Sequence, residues 1–199
     1  ARGELEVQTR MREAATAVAL FKTVLYTGRQ RAWKYYEQGA RTLDDLRARD
    51  DLEPRQILGL RHYEDLNSPL PRWEVEAFEK KTREMLLAID PRLQLEIGGS
   101  YARGQDPCCD ADFLIYHPDA MYEECSQALD KLVAMLSSRG ILQHVLNLEN
   151  SYAPRFGKGQ SRNDLWWQAR PDHRMYSFRL IMCLARVGKT APMRRVDFF

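Results

Sequence analysis

The stretch GGSYARGQDPCCDADFLI, residues 98–115, restricts the fold more than any other part of this chain. It ends in an alternating pattern in which Ala111 and Phe113 would share one face of a strand and Asp110 and Asp112 the other. On a strand, the Cβ atoms of alternate residues lie about 6–7 Å apart. The pattern therefore predicts a sheet strand with apolar side chains on one face and two carboxylates on the opposite face.

Two carboxylates at this spacing can share hard divalent cations, because Mg²⁺ prefers a few carboxylate oxygens together with substrate phosphates. The preceding turn adds the hydroxyl of Ser100 and the charge of Arg103, which both suit phosphate oxygens. Asp197, within the strand pattern RRVDFF, would complete a metal site with a third carboxylate. A D-x-D pair alone is common on solvent-facing sheet edges, but its combination with the turn, serine and arginine favours metal-assisted phosphoryl transfer.

Residues 1–80 carry the signals of a helical part. A first helix is expected to end before Thr27-Gly28, where glycine favours a break. Thr42 is an N-cap residue, and Pro54 suits the first turn of one helix through PRQILGLRHYEDL.

Residues 81–199 combine strand and helix patterns. LQLEIGG, DADFLIYH, GILQHVLNL, MYSFRLIMCLARV and MRRVDFF are typical of strands, and residues 119–138 are typical of a helix. The longest amphipathic helix, residues 72–88, leads into this part. We expect an α+β protein, with a helical module at 1–80 and a sheet-based module at 81–199.

Charge and cysteine content narrow the class of protein. The net charge is only +2, but Lys and Arg outnumber Asp and Glu ten to two between residues 155 and 195, and a second basic segment covers residues 22–41. A polyanion partner and solvated basic faces account for these segments equally well. No apolar run approaches the roughly 20 residues of a membrane span, so we expect no membrane partner. Four cysteines without paired zinc-site spacing favour a reducing compartment.

Several motifs in a fixed order resemble those of the family X DNA polymerases. That family has a G-S-x-x-R-G turn, a five-residue loop, D-x-D-x-L-I and, later, R-R-[IVL]-D. These motifs correspond here to residues 99–104, 105–109, 110–115 and 194–197. Upstream, WKYYEQGARTLDDL, GLRHYEDL and LPRWEV are similar to further family motifs, so the resemblance covers nearly the whole chain.

The resemblance implies a nucleotidyltransferase-type palm with a mixed β-sheet. Asp110 and Asp112 would bind two Mg²⁺ ions, for which Mn²⁺ could substitute, and Asp197 would bind the ion at the primer end. Arg195 would orient Asp197. Four residues would hold the triphosphate of the incoming dNTP: Gly99, Ser100, Arg103 and Cys109.

The segment VLYTGRQRA resembles the helix-hairpin-helix of the same family. The resemblance implies that a phosphate of the DNA binds at Gly28, Arg29, Arg31 and Ala32. It also implies a Na⁺ or K⁺ ion on the backbone carbonyls of Lys22, Val24 and Thr27. Tyr26 stands where the family usually has glycine, so a positive φ there would strain the tyrosine.

The resemblance identifies a nuclear, DNA-directed DNA polymerase that acts in gap filling or end joining during DNA repair. Its partners would be gapped or broken duplex DNA, dNTPs, and end-joining factors bound by regions outside this chain. The N-terminal lyase domain and the segment after the palm would lie outside the sequence. The alternatives are a nucleotidyltransferase with a non-DNA acceptor and a non-catalytic protein that binds DNA ends.

Residues 150–174 match the family least and are polar, basic and irregular. We expect a DNA-facing insertion there, in which Trp166 or Trp167 could stack on a base. The alternative is that the two tryptophans cover a sheet edge.

Overall fold

The computed structural model describes residues 2–119, 122–149 and 180–199. The chain forms two compact units, Ala1–Ser68 and Pro69–Phe199. The division falls earlier than residue 80, where the sequence pattern changes. The long helix that begins after Pro71 packs against the sheet of the second unit and therefore belongs to it.

The first unit is helical, as the sequence predicts. Its helices are α1 (Arg2–Lys22), α2 (Arg29–Glu37), α3 (Leu43–Arg47), α4 (Pro54–Arg61) and α5 (Tyr63–Asn67). Thr42 caps α3 through a reciprocal capping box with Asp45, and Pro54 occupies the first turn of α4. The single helix predicted after Pro54 is wrong. His62, with φ −108° and ψ 27°, separates α4 from α5.

The second unit contains a five-stranded sheet with helices. In chain order these are α6 (Arg72–Ile89), β1 (Gln94–Ile97), α7 (Gly99–Ala102), β2 (Ala111–Tyr116), α8 (Tyr122–Ser138), β3 (Leu142–Glu149), β4 (Leu180–Ala185) and β5 (Arg194–Phe198). The strand order is β1-β2-β5-β4-β3. Strands β2 and β5 are parallel and the other neighbours are antiparallel, so the sheet is mixed. The α+β fold with a mixed sheet is confirmed.

The predicted alternation of β2 is confirmed. Ala111, Phe113 and Ile115 are buried, whereas Asp112 and Leu114 are more exposed. Helices α6 and α8 pack on the sheet, and their apolar residues form one core with the buried side chains of the strands. Burial of this apolar face leaves the opposite face of β2 available to the carboxylates.

In the described part of the chain, no helix has the length and hydropathy that a membrane span requires. The basic stretch with Trp166 and Trp167 lies outside the described residues.

Candidate active site

Three carboxylates meet on the open side of β2 and β5. Asp110 directly precedes β2, and Asp112 is paired in register with Asp197 of the parallel strand β5. One side-chain oxygen from each of the three lies within 4.8 Å of the other two. This set of oxygen ligands fits a hard divalent cation, because Mg²⁺ binds through carboxylates and completes its shell with water or phosphate oxygens.

The clustering of negative charge changes the acidity of the site. Partial burial, together with the charges of Asp110 and Asp197, raises the pKa of Asp112 to about 6, although Arg195 and Arg103 act in the opposite direction. Burial also raises the pKa of Asp197, although Arg195 partly offsets this. The carboxylates therefore repel one another, and a bound cation would relieve that repulsion.

Arg195 contacts two of the three carboxylates. Its Nε donates to Asp197 Oδ1 at 3.2 Å and its Nη2 donates to Asp197 Oδ2, while Nη1 lies 3.5 Å from Asp110 Oδ2. Residues 195 and 197 of a strand share one face, which is why the arginine can reach the carboxylate two positions later. The structure thus brings together the arginine and the aspartate that the resemblance pairs.

Gly99 must be glycine because of its contact with Asp112. Its φ is +55°, and a Cβ atom there would lie 1.6 Å from Asp112 Oδ2. The neighbouring Gly98 donates its N–H to the backbone oxygen of Asp112 at 2.8 Å. The turn and the carboxylate strand therefore form one tightly packed element.

The residues expected to hold the triphosphate lie around this turn. Ser100 is buried, and its Oγ accepts the N–H of Cys109 at 3.2 Å, so that amide already has a partner within the protein. Arg103 is the exposed C-cap residue of α7, close enough to lower the pKa of Asp112. The turn thus offers a buried hydroxyl and an exposed guanidinium beside the carboxylates.

Sequence reasoning missed the residues behind the site. Arg194 forms a buried ion pair with Glu74 of α6. Arg72 lies over the ring of Tyr101, with 3.6 Å between its Cζ atom and the ring centroid. The double arginine of RRVD was a usable signal, because alternate strand residues face opposite sides and one arginine had to point away from the carboxylates.

The hairpin before α2 belongs to the first unit. Tyr26 has φ +61°, so the strain that the sequence suggests is present. Gly28 is the N-cap of α2, and its carbonyl accepts the N–H of Ala32, so the amide of Ala32 is used within the helix. The carbonyl of Val24 accepts the N–H of Thr27 at 3.0 Å. The N–H groups of residues 28–31 precede the first helical hydrogen bond, which is the arrangement that binds anions at a helix start.

A buried glutamine fixes this hairpin. Gln56 Nε2 donates to Thr27 Oγ1 at 2.8 Å, and its Oε1 accepts from Tyr35 Oη at 3.0 Å and from the N–H of Glu53 at 3.1 Å. At the hairpin surface, Arg31 donates to the carbonyl of Tyr26 and pairs with Glu53. These contacts engage Arg31, which the resemblance assigns to DNA binding.

Two family models match the chain. The DNA polymerase beta palm matches residues 69–199, and the fingers domain of DNA polymerase lambda matches residues 19–67. The palm match begins at residue 69, which is also the first residue of the second structural unit.

Curated relatives cover most of this chain but only part of their own length. DNA polymerase lambda of Arabidopsis thaliana is 34% identical over 134 residues, which is 67% of this chain and 25% of that protein. DNA-directed DNA/RNA polymerase mu of Homo sapiens is 31% identical over 136 residues, 68% of this chain and 27% of that protein. DNA nucleotidylexotransferase of Monodelphis domestica is 30% identical over 151 residues, which is 74% of this chain and 29% of that protein. The chain thus spans about a quarter of the length of these relatives.

Proposed function

The chain belongs to family X of the DNA polymerases, and we propose that it forms the fingers and palm of a repair polymerase that fills short gaps or joins broken DNA ends. The observation that carries the proposal is the cluster of three carboxylates, with ligand oxygens within 4.8 Å of one another. The reaction is attack of a primer 3′-hydroxyl on the α-phosphate of a dNTP, with release of pyrophosphate.

Asp110 and Asp112 would bind two divalent ions, and Asp197 would bind the one nearest the primer end. Bound Mg²⁺, or Mn²⁺ in its place, would assist deprotonation of the 3′-hydroxyl and neutralise charge on the triphosphate. Arg195 holds Asp197 through two hydrogen bonds, so that carboxylate has a fixed direction before the substrate arrives. The exposed charge of Arg103 would attract the departing pyrophosphate.

The turn at the N-terminal end of β2 would hold the nucleotide. The backbone at Gly99 lies next to Asp112, where triphosphate oxygens would complete the shell of a bound ion, and the adjacent Ser100 would offer its hydroxyl to the same oxygens. The amide of Cys109 donates to Ser100 Oγ, so it would support the serine or turn to the phosphate when nucleotide binds.

The first unit would bind the DNA backbone. The amides at the start of α2, from Gly28 to Arg31, would meet a strand phosphate, with Arg29 supplying a nearby charge and buried Ala32 the packing. The carbonyls of Lys22, Val24 and Thr27 would hold Na⁺ or K⁺. A polymerase of this kind would act in the nucleus, delivered to gapped or broken DNA by end-joining factors that bind other parts of the protein.

The test is single-nucleotide gap filling with Mg²⁺ and dNTPs, in the full-length protein that contains this chain. We expect extension by the wild type and a loss of at least 100-fold with Asp112→Asn, because the substitution removes a ligand shared by two ions. Glu84→Gln, on the exposed surface of α6, should retain full activity. Salt-dependent binding of gapped DNA without extension would instead favour a DNA-end scaffold. Transfer only to a non-DNA acceptor would favour another class of nucleotidyltransferase.

A further inference from the structure

The first turn of α6 forms a buried ion pair with the start of β5. Arg194 Nε lies 3.0 Å from Glu74 Oε1 and 3.1 Å from Oε2, and Arg194 Nη2 lies 2.9 Å from Oε2. The Glu74 side chain is 4% exposed and that of Arg194 is 7% exposed. A bidentate pair in such surroundings fixes the position and the direction of both side chains.

This ion pair lies at the start of β5, where the strand is paired on one side only. Pairing with β2 begins only at Val196, so Arg194 and Arg195 precede it, although β4 still pairs with both. Arg195 points to the opposite face and bonds Asp197. Glu74 therefore holds the strand end from which Arg195 reaches the third carboxylate.

The same turn of α6 also contacts the other side of the site. Arg72 Nη1 donates to the carbonyl oxygens of Tyr101 at 2.8 Å and Gln105 at 3.2 Å. Tyr101 Oη donates to Glu76 Oε1 at 2.8 Å. Because Tyr101 directly follows Ser100 in α7, these contacts hold the turn that packs against Asp112.

We propose that the N-terminal end of α6 holds both sides of the site for the reaction: Glu74 positions Asp197 through Arg194, and Glu76 positions the nucleotide-side turn through Tyr101. The inference rests on the proposed polymerase function. We expect the contacts to β5 and the contacts to α7 to have separate kinetic effects. Loosening β5 lowers the rate of the bound complex, because misplacement of a reacting group by about 1 Å can cost about 100-fold. Loosening α7 weakens nucleotide binding.

The β5 side is tested with Glu74→Asp and with the double variant Glu74→Met/Arg194→Met, in the full-length protein. Glu74→Asp keeps the countercharge but shortens the side chain by one methylene. The double variant replaces the ion pair with apolar side chains of similar size, a change that often preserves stability. In single-turnover gap filling we expect both to lower the maximal rate about 10- to 100-fold, with an unchanged dissociation constant for dNTP. Mn²⁺ binding, followed by electron paramagnetic resonance without DNA or nucleotide, should weaken at the same time.

The α7 side is tested with Tyr101→Phe, which removes only the hydroxyl that bonds Glu76. We expect the dNTP dissociation constant to rise about 3- to 10-fold, as for the loss of one hydrogen bond, with the maximal rate unchanged. Mn²⁺ binding should not change. This opposite pattern in the two sets of variants would not arise from general loss of stability.

Two outcomes overturn the inference. One is a double variant that melts like the wild type and retains the wild-type rate and Mn²⁺ affinity, which would make the ion pair structural only. The other is a Tyr101→Phe variant that loses rate and nucleotide affinity alike. Failure of the proposed function would look different. If the wild type, like Asp112→Asn, does not extend a primer, the polymerase assignment fails. The Mn²⁺ binding measurement would still test the role of Glu74.

Discussion

Asp112→Asn should make the folded protein more stable at neutral pH, although it should abolish catalysis. Burial and two neighbouring carboxylates raise the pKa of Asp112 from 3.8 to about 6 in the folded state. A pKa difference of about two units means that ionisation of this carboxyl lowers the free energy of unfolding by about 3 kcal/mol. Asp112 is only partly buried, so water screens part of this effect, and about 1–2 kcal/mol is the expected gain.

The sign of the pH dependence follows from the raised pKa. Above about pH 6 the folded state holds an ionised carboxylate against its environment, so the destabilisation is fully present. As the pH falls towards the unfolded value of 3.8, the folded carboxyl takes up a proton and the destabilisation disappears. The advantage of the asparagine variant should therefore be largest near pH 7.5 and should shrink by pH 5.

The assay is urea unfolding of wild type and Asp112→Asn followed by circular dichroism, with EDTA at pH 7.5 and pH 5. Glu84→Gln removes a carboxylate from the exposed face of α6 and should change the free energy of unfolding by less than about 0.5 kcal/mol. Excess Mg²⁺ should raise the stability of the wild type more than that of Asp112→Asn. Equal or lower stability of Asp112→Asn in EDTA at pH 7.5 would refute the electrostatic reasoning.

Three further substitutions test local geometry. Gly99→Ala should reduce gap filling far more than Gly104→Ala, because both have positive φ but only the alanine at 99 would strike a carboxylate, at 1.6 Å; equal activities would contradict this. Tyr26→Gly should be about 1 kcal/mol more stable than Tyr26→Ala in urea unfolding, since alanine retains the strain of φ +61° and glycine does not. Gly59→Ala should destabilise by about 1–3 kcal/mol, despite the higher helix propensity of alanine, because its Cβ would lie 2.6 Å from that of Leu25; a gain in melting temperature would show that α4 can shift.

Local signals predicted the elements well. The alternation around Asp112 predicted both its strand and its exposed face, and Thr42 and Pro54 marked helix starts that the structure has. The break at His62 was missed because the helix pattern continues through it in sequence. These successes share a cause, since capping and strand alternation depend on residues within a few positions of one another.

The candidate site depended on contacts distant in sequence. The strand pattern RRVDFF and the resemblance both made Asp197 a candidate ligand, but neither specified the parallel register that places it beside Asp112, because the whole sheet sets that register. The ion pair between Glu74 and Arg194 was not predicted, because the RRVD pattern shows that one arginine must face away from the carboxylates but does not identify a partner 120 residues earlier in the chain. Likewise, glycine is required at position 99 because Asp112 Oδ2 lies so close to it, and the sequence of the turn does not predict that contact.

The alternation of β5 also determines which errors of folding the strand can tolerate. A slip of one residue turns every side chain to the other face of a sheet. Arginine is found on both faces of β5, so either arginine could still find a carboxylate after such a slip. Val196 and Asp197 would not tolerate such a slip. It would place the aspartate among the phenylalanines of the core and the valine among the carboxylates. Asp197, the proposed metal ligand, is thus also the residue that makes a misregistered sheet costly, and variants that neutralise it should misfold more often as well as lose activity.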